Sequence, residues 1–242
     1  MIELALWLVV VGLCDLVCAA RDLTTIPRRL LMSGLGVVLL AFSAIVIDVD
    51  TGRAVLLWVG WVVFFLLWLL GSTAAMSSAP SGSRTIAARA AAFVGLGGGI
   101  VFCLLAGGVA EPSRLPPGAL EPVAYDDLLL VVGVGLVQLA TANVAVRLLL
   151  DVVGVPAAAN EKQLKGGRVL GPMERLFIVG LGLAGQLTAA AVVVAAKGLL
   201  RFPELQRGAK TGGPSDVSEY FLIGSFASWL VALGGLGLLA LT

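Results

Sequence analysis

A chain of 242 residues that is 59% hydrophobic and 13% charged lacks the composition of a water-soluble domain, in which about a quarter of residues carry charge. One soluble core of this size cannot hide so much apolar surface, so the expected solvent is lipid. A net charge of +1 leaves no cationic excess for a nucleic-acid backbone, and the absence of histidine removes the commonest general base, zinc ligand and pH switch.

The first apolar run covers 4–20. Its start, "MIELALWLVV", has no basic n-region, and Asp15 interrupts the run without an A-x-A cleavage pattern, so it reads as a first membrane crossing and not a leader. Cys14 and Cys18 stand one turn apart on it, and Cys103 lies in another run. Neighbours on one helix are poorly placed for a disulfide, so these read as packing residues; neither a metal centre nor a cofactor is expected.

Further runs cover 30–47, opened by "TTIPRR", then 54–70, rich in Trp and Phe, then 86–110, 128–153, 173–196 and 220–241. Each suits a bilayer crossing of about 17–25 residues. Gly95, Gly97, Gly98 and Gly99 would loosen the fourth as a lone helix, but lipid tolerates glycine where a neighbour packs. "SSAPSGS" and "EPSRLPPG" are turn-forming connections. The expected fold class is all-α: a polytopic transmembrane helix bundle of about seven spans, one integral domain over 1–242 without an appended soluble domain.

Basic residues set the expected orientation. Arg21, Arg28 and Arg29 mark the first loop, Arg84 and Arg89 the third, and Lys162, Lys165, Arg168 and Arg175 the fifth. The second loop has Arg53 alone, and the fourth has Arg114 beside Glu111, Glu121, Asp126 and Asp127. The odd loops therefore face the cytoplasm, and the N-terminus lies outside a cell membrane that the chain crosses many times. One loop disagrees: Lys197, Arg201, Arg207 and Lys210 follow span six and would lie outside. Either the count is off by one or this segment lies in the interface, where Lys197, Arg201 and Glu204 oppose Leu199, Leu200 and Leu205.

The densest charge is in "NEKQLKGGRVLGPMER". Gly166 and Gly167 predict a loop over 165–171, with Pro172 opening span six. A glycine-rich loop before a helix offers N–H groups to an anion, and Lys162, Lys165, Arg168 and Arg175 add cations. The alternative is a positive anchor on anionic lipid headgroups, at about 1 kcal/mol per basic residue.

A second constellation is Asn143, Arg147 and Asp151, which share one face of span five at i, i+4 and i+8. Arg147 and Asp151 can pair; together with Asp15 they would form a polar floor beneath the basic loop, or a structural pair with Arg147 reaching the interface. Gln138 and Gln186 are intramembrane amides expected to bridge helices. Gly95 with Gly99, Gly180 with Ala184, and the glycines of 234–237 suit close helix packing, within one subunit or at a homo-oligomer seam.

"GGRVLGPMER", then Gln186 in "AGQLTA", then "AAKGLLRFPEL" and "SEYFLIGSFASWLVAL" follow one another over 165–233. That block resembles the C-terminal half of a bacterial family of short polytopic membrane proteins known only as a domain of unknown function. The resemblance covers under a third of the chain and rests on Gly167, Arg168, Gly171, Glu174, Arg175, Gln186, Lys197, Arg201, Glu219 and Tyr220. It implies a polar site, and an ion pair of Lys197 or Arg201 with Glu219. Many members of that family carry His/Asp pairs near the N-terminus, as in membrane hydrolases that bind metal; this chain has no histidine and departs from them there.

The expected function is an oligomeric channel or small transporter of a bacterial inner membrane, with a basic cytoplasmic-side site for an anionic ligand or headgroup. The alternatives are a membrane enzyme acting on a lipid-linked phosphate, with Asp15, Asp151 and Glu174 as candidate carboxylates, and a structural or regulatory subunit. Membrane lipids, anionic ones included, and further copies of the chain are the expected partners.

Overall fold

The computed structural model describes residues 1–20, 26–46, 51–77, 82–106, 125–154, 167–196 and 216–241, and all regular structure among them is helical. The helices are α1 (Ile2–Ala20), α2 (Ile26–Val46), α3 (Thr51–Ser77), α4 (Ser83–Ala106), α5 (Tyr125–Leu136), α6 (Ala142–Val153), α7 (Gly167–Leu183), α8 (Leu187–Ala196) and α9 (Asp216–Leu239). A π-helical turn, Val137–Thr141, joins α5 to α6, so Tyr125–Val153 is one continuous helix. The chain forms two compact units, Met1–Thr141 and Ala142–Leu241.

Five helices are long and apolar enough to cross a membrane: Ile2–Ala19, Gly52–Ser77, Ser83–Ala106, Tyr125–Val153 and Phe221–Leu239. The other two expected spans differ from the sequence reading. In α2 the apolar part among the described residues is Leu30–Ile45, inside the expected 30–47. The run 173–196 is two helices, α7 and α8.

In the first unit α1 is central, packed against α2, α3, α4, α5 and the π-turn. It is apolar almost all round, as a helix must be when neighbours surround it. Trp7, Trp61, Phe65 and Trp68 are fully buried and form the core with Leu4, Leu8, Leu40 and Leu130. Trp7 donates from Nε1 to the Trp61 carbonyl at 3.2 Å, and Trp68 donates to Asp15 at 2.8 Å, so α1 and α3 run in the same direction. Gly60 meets Phe102 and Gly71 meets Ala88 and Ala92, which makes α4 antiparallel to α3.

The glycines of α4 do not loosen it. The helix is unbroken, and a Cβ at Gly95 would strike the Trp68 backbone, at Gly98 the Phe64 ring and at Gly99 the Trp7 indole. Their missing side chains are where aromatic neighbours and the α3 backbone come in. Gly95 and Gly99 therefore face partners inside the unit.

In the second unit α6, α7 and α9 pack on one another. Arg175 bonds to Ser228, and seven residues on Gly182 packs against Leu236, so α7 and α9 run in the same direction. The sequence reading made spans six and seven antiparallel neighbours; α7 is instead parallel to α9.

The stop between α7 and α8 is built from hydrogen bonds. Gln186 N–H bonds the Leu181 carbonyl at 2.8 Å, and Gly185 N–H bonds the Gly182 carbonyl at 3.0 Å. This is a Schellman cap, with Gly185 at φ +71 in the left-handed region that glycine enters at no steric cost. The helix then restarts, Ala190 N–H bonding the Gln186 carbonyl at 3.1 Å.

The loop expected over 165–171 is also corrected for its described part: Gly167 to Gly171 are helical. Pro172 is the sixth helical residue, and its absent N–H would have been among the first to need an intrahelical acceptor. Pro172 therefore removes one early intrahelical bond, in a helix that also packs against α6 and α9.

Candidate functional site: a buried arginine between three helices

Arg175 is 2% exposed. Its Nη1 donates to the Ser228 hydroxyl of α9 at 2.9 Å, and its Nη2 donates to Oδ1 of Asn143 on α6 at 2.6 Å. The planar guanidinium holds both acceptors at once, as the point charge of a lysine would not. Gly171, one turn before Arg175, leaves room for the meeting: a Cβ there would lie 3.5 Å from Nη1 and 3.9 Å from Asn143 Oδ1.

The preceding residue makes a second cross-helix bond. Glu174, 5% exposed, accepts from Trp229 Nε1 at 2.8 Å. The partners on α9 are successive residues too, Trp229 for Glu174 and Ser228 for Arg175, reached in crossed order by the long arginine and tryptophan side chains. A carboxylate and a guanidinium thus lie side by side along one helix, each fixed by a different neighbour.

The depth of the site follows from α9. Ser228 is seven residues from the Phe221 end of the apolar stretch Phe221–Leu239 and eleven from the other, about 10 Å and 16 Å at 1.5 Å per residue. If that stretch crosses a bilayer, Arg175 sits in its hydrocarbon interior. Ionisable groups at such depth face a bundle interior or a watery path, and they mark ligand and proton routes.

The sequence-predicted residues divide in three ways. Asn143 and Arg175 come together. Arg147 and Asp151 follow Asn143 along α6, both half-buried. Gln138 is buried in the π-turn of the first unit, and Asp15 is buried against Trp68; Gln186, expected to bridge helices, is an exposed residue of the turn after α7. Lys162, Lys165, Gly166, Lys197 and Arg201 lie outside the described residues, so the basic loop and the proposed ion pair do too. Gly167 and Arg168 are in α7 and Glu219 is in α9.

Sequence reasoning missed Ser228 and Trp229. Their signal was present: "SFASW" puts Ser225 and Ser228 three residues apart on an otherwise apolar helix, and both are buried. No family model matches the chain, and no match to it was found among the curated proteins or the solved structures.

Proposed function

We propose that the protein is a multi-pass membrane transporter or channel for a small anion, with Arg175 as the intramembrane cation that the anion meets. The observation that supports this most directly is the setting of Arg175: a guanidinium 2% exposed, at mid-depth of an apolar helix, held by the neutral oxygens of Asn143 and Ser228. The two neutral oxygens fix the orientation of the fork, and the Glu174 carboxylate beside it on α7 interacts with its charge, so an anion would meet a guanidinium already held in place. The exposed apolar side chains of α2, α3 and α4, among them Leu30, Val38, Phe42, Leu56 and Leu105, suit a lipid-facing surface. The homo-oligomer remains part of the proposal: around Gly180, Gly234 and Gly237 no atom lies within 4 Å of where a Cβ would stand, so small-residue faces there are open to a second copy.

The test is anion flux in proteoliposomes, with chloride, nitrate and phosphate as probes. Wild type should discharge an imposed anion gradient. Arg175→Lys keeps the charge but not the fork, and should slow flux by at least about tenfold, the equivalent of one charge-assisted hydrogen bond of about 1.5 kcal/mol. Vesicles that stay tight to all three anions would defeat the reading, as would an Arg175→Gln protein that conducts like wild type.

A further inference from the structure

We infer that Asp15 is an intramembrane proton-binding site, built by α1, α3 and the π-helical turn. The inference stands on the first unit alone and needs no anion to be carried.

Asp15 is 3% exposed and lies two-thirds of the way along α1, a helix otherwise free of charge beyond Glu3. Its Oδ2 accepts from Trp68 Nε1 at 2.8 Å. The Thr141 hydroxyl faces the same carboxyl from the last residue of the π-turn. Among the described residues no lysine or arginine comes within salt-bridge distance of it.

These partners distinguish a proton site from a structural clamp. A clamped carboxylate in a dry interior is held by a cation or by several fixed donors. Here the one fixed donor is a neutral indole N–H, which binds Oδ2. The second neighbour is the buried Thr141 hydroxyl, which makes no hydrogen bond in this conformation and can rotate to donate to a carboxylate or to accept from a carboxylic acid. Either protonation state of Asp15 can therefore recruit that hydroxyl as a partner. The π-turn is the independent sign: such single wide turns inside long helices concentrate at functional sites, and this one packs on α1 at the level of Asp15.

The surroundings contain few competing charges. On α1 itself Cys14 and Cys18 flank Asp15 within one turn. From α4 comes Arg89, buried, six residues before the Gly95 that packs on Trp68. On α3 the titratable side chain is Arg53, and on α5 they are Tyr125, Asp126 and Asp127, all at the ends of those helices remote from Asp15. The described side chains of α2 include no titratable group.

The experiment is infrared difference spectroscopy of the full chain in lipid nanodiscs as pH is stepped. Wild type should gain a protonated-carboxyl carbonyl band on acidification and lose it reversibly. Asp15→Asn should abolish that band, while Glu3→Gln, which removes the other fully buried acid of the unit, should leave it. Trp68→Phe removes the fixed donor and should displace the titration midpoint; this variant carries the test if Asp15→Asn does not fold. A band unchanged in Asp15→Asn, or a midpoint unmoved in Trp68→Phe, overturns the inference. So does a band that sodium ions suppress at constant pH, since that outcome assigns the site to a metal cation.

Discussion

A guanidinium as buried as that of Arg175 has no bulk water at hand to replace a lost acceptor, so the neutral oxygens around it should register individually. Asn143→Ala removes the 2.6 Å bond and Ser228→Ala the 2.9 Å bond. Each should cost about 1–2 kcal/mol in unfolding from mixed micelles, because a charged donor is left short of a partner. The two should not add: both touch one side chain, and a double-mutant cycle should show a coupling of at least about 0.5 kcal/mol. Strict additivity would mean that the two bonds are not made by the same guanidinium. At this scale the sequence was half legible. Asn143 could be placed on a polar face because i+4 spacing is unambiguous on a helix. Arg175 was assigned to a surface loop because hydropathy treats every charge beside an apolar run as outside it. Ser228 and Trp229 carry no charge and so gave little warning.

Glycine is where element-scale packing can be separated from helix propensity. A Cβ at Gly71 would stand 2.7 Å from the Ala92 backbone nitrogen and 2.8 Å from the Ala88 carbonyl oxygen. Backbone cannot rotate aside, so Gly71→Ala must push α3 from α4 and should destabilise the protein by about 1–3 kcal/mol. Gly97→Ala, with no atom within 4 Å, should be neutral or stabilising, since alanine costs less than glycine inside a helix. Equal thermal shifts for the two would contradict the α3–α4 contact. The same comparison applies to the end of α7. Gly185→Ala forces a Cβ into the left-handed region and should cost about 1–2 kcal/mol, whereas Gly180→Ala, in open space within α7, should not. Existence and type of these helices were readable from long apolar runs. The stop at Gly185 was not, because a Schellman cap needs only one glycine and Gly180 and Gly182, just before it, do not end the helix.

For the whole molecule, the shared direction of α7 and α9 changes the count of crossings. Gly182 packs on Leu236, and α9 ends at Leu239, so the turn after α7 is level with the end of α9 and not with its middle. At 17 residues α7 is about 25 Å long, enough to carry the chain across most of a hydrocarbon layer. If α7 and α9 both cross, the chain must cross once more between them. The crossings would then number eight and not the expected seven. Counted that way, the positive-inside rule would put Lys197, Arg201, Arg207 and Lys210 on the side of Lys162 and Lys165, and the basic loops would agree. Single-cysteine labelling decides the matter, in a background with Cys14, Cys18 and Cys103 changed to alanine. With a membrane-impermeant reagent on intact cells, Thr242→Cys should react and Gln206→Cys should be protected. Seven crossings from the same starting side give the opposite pair of results, so one gel lane for each variant separates the two topologies.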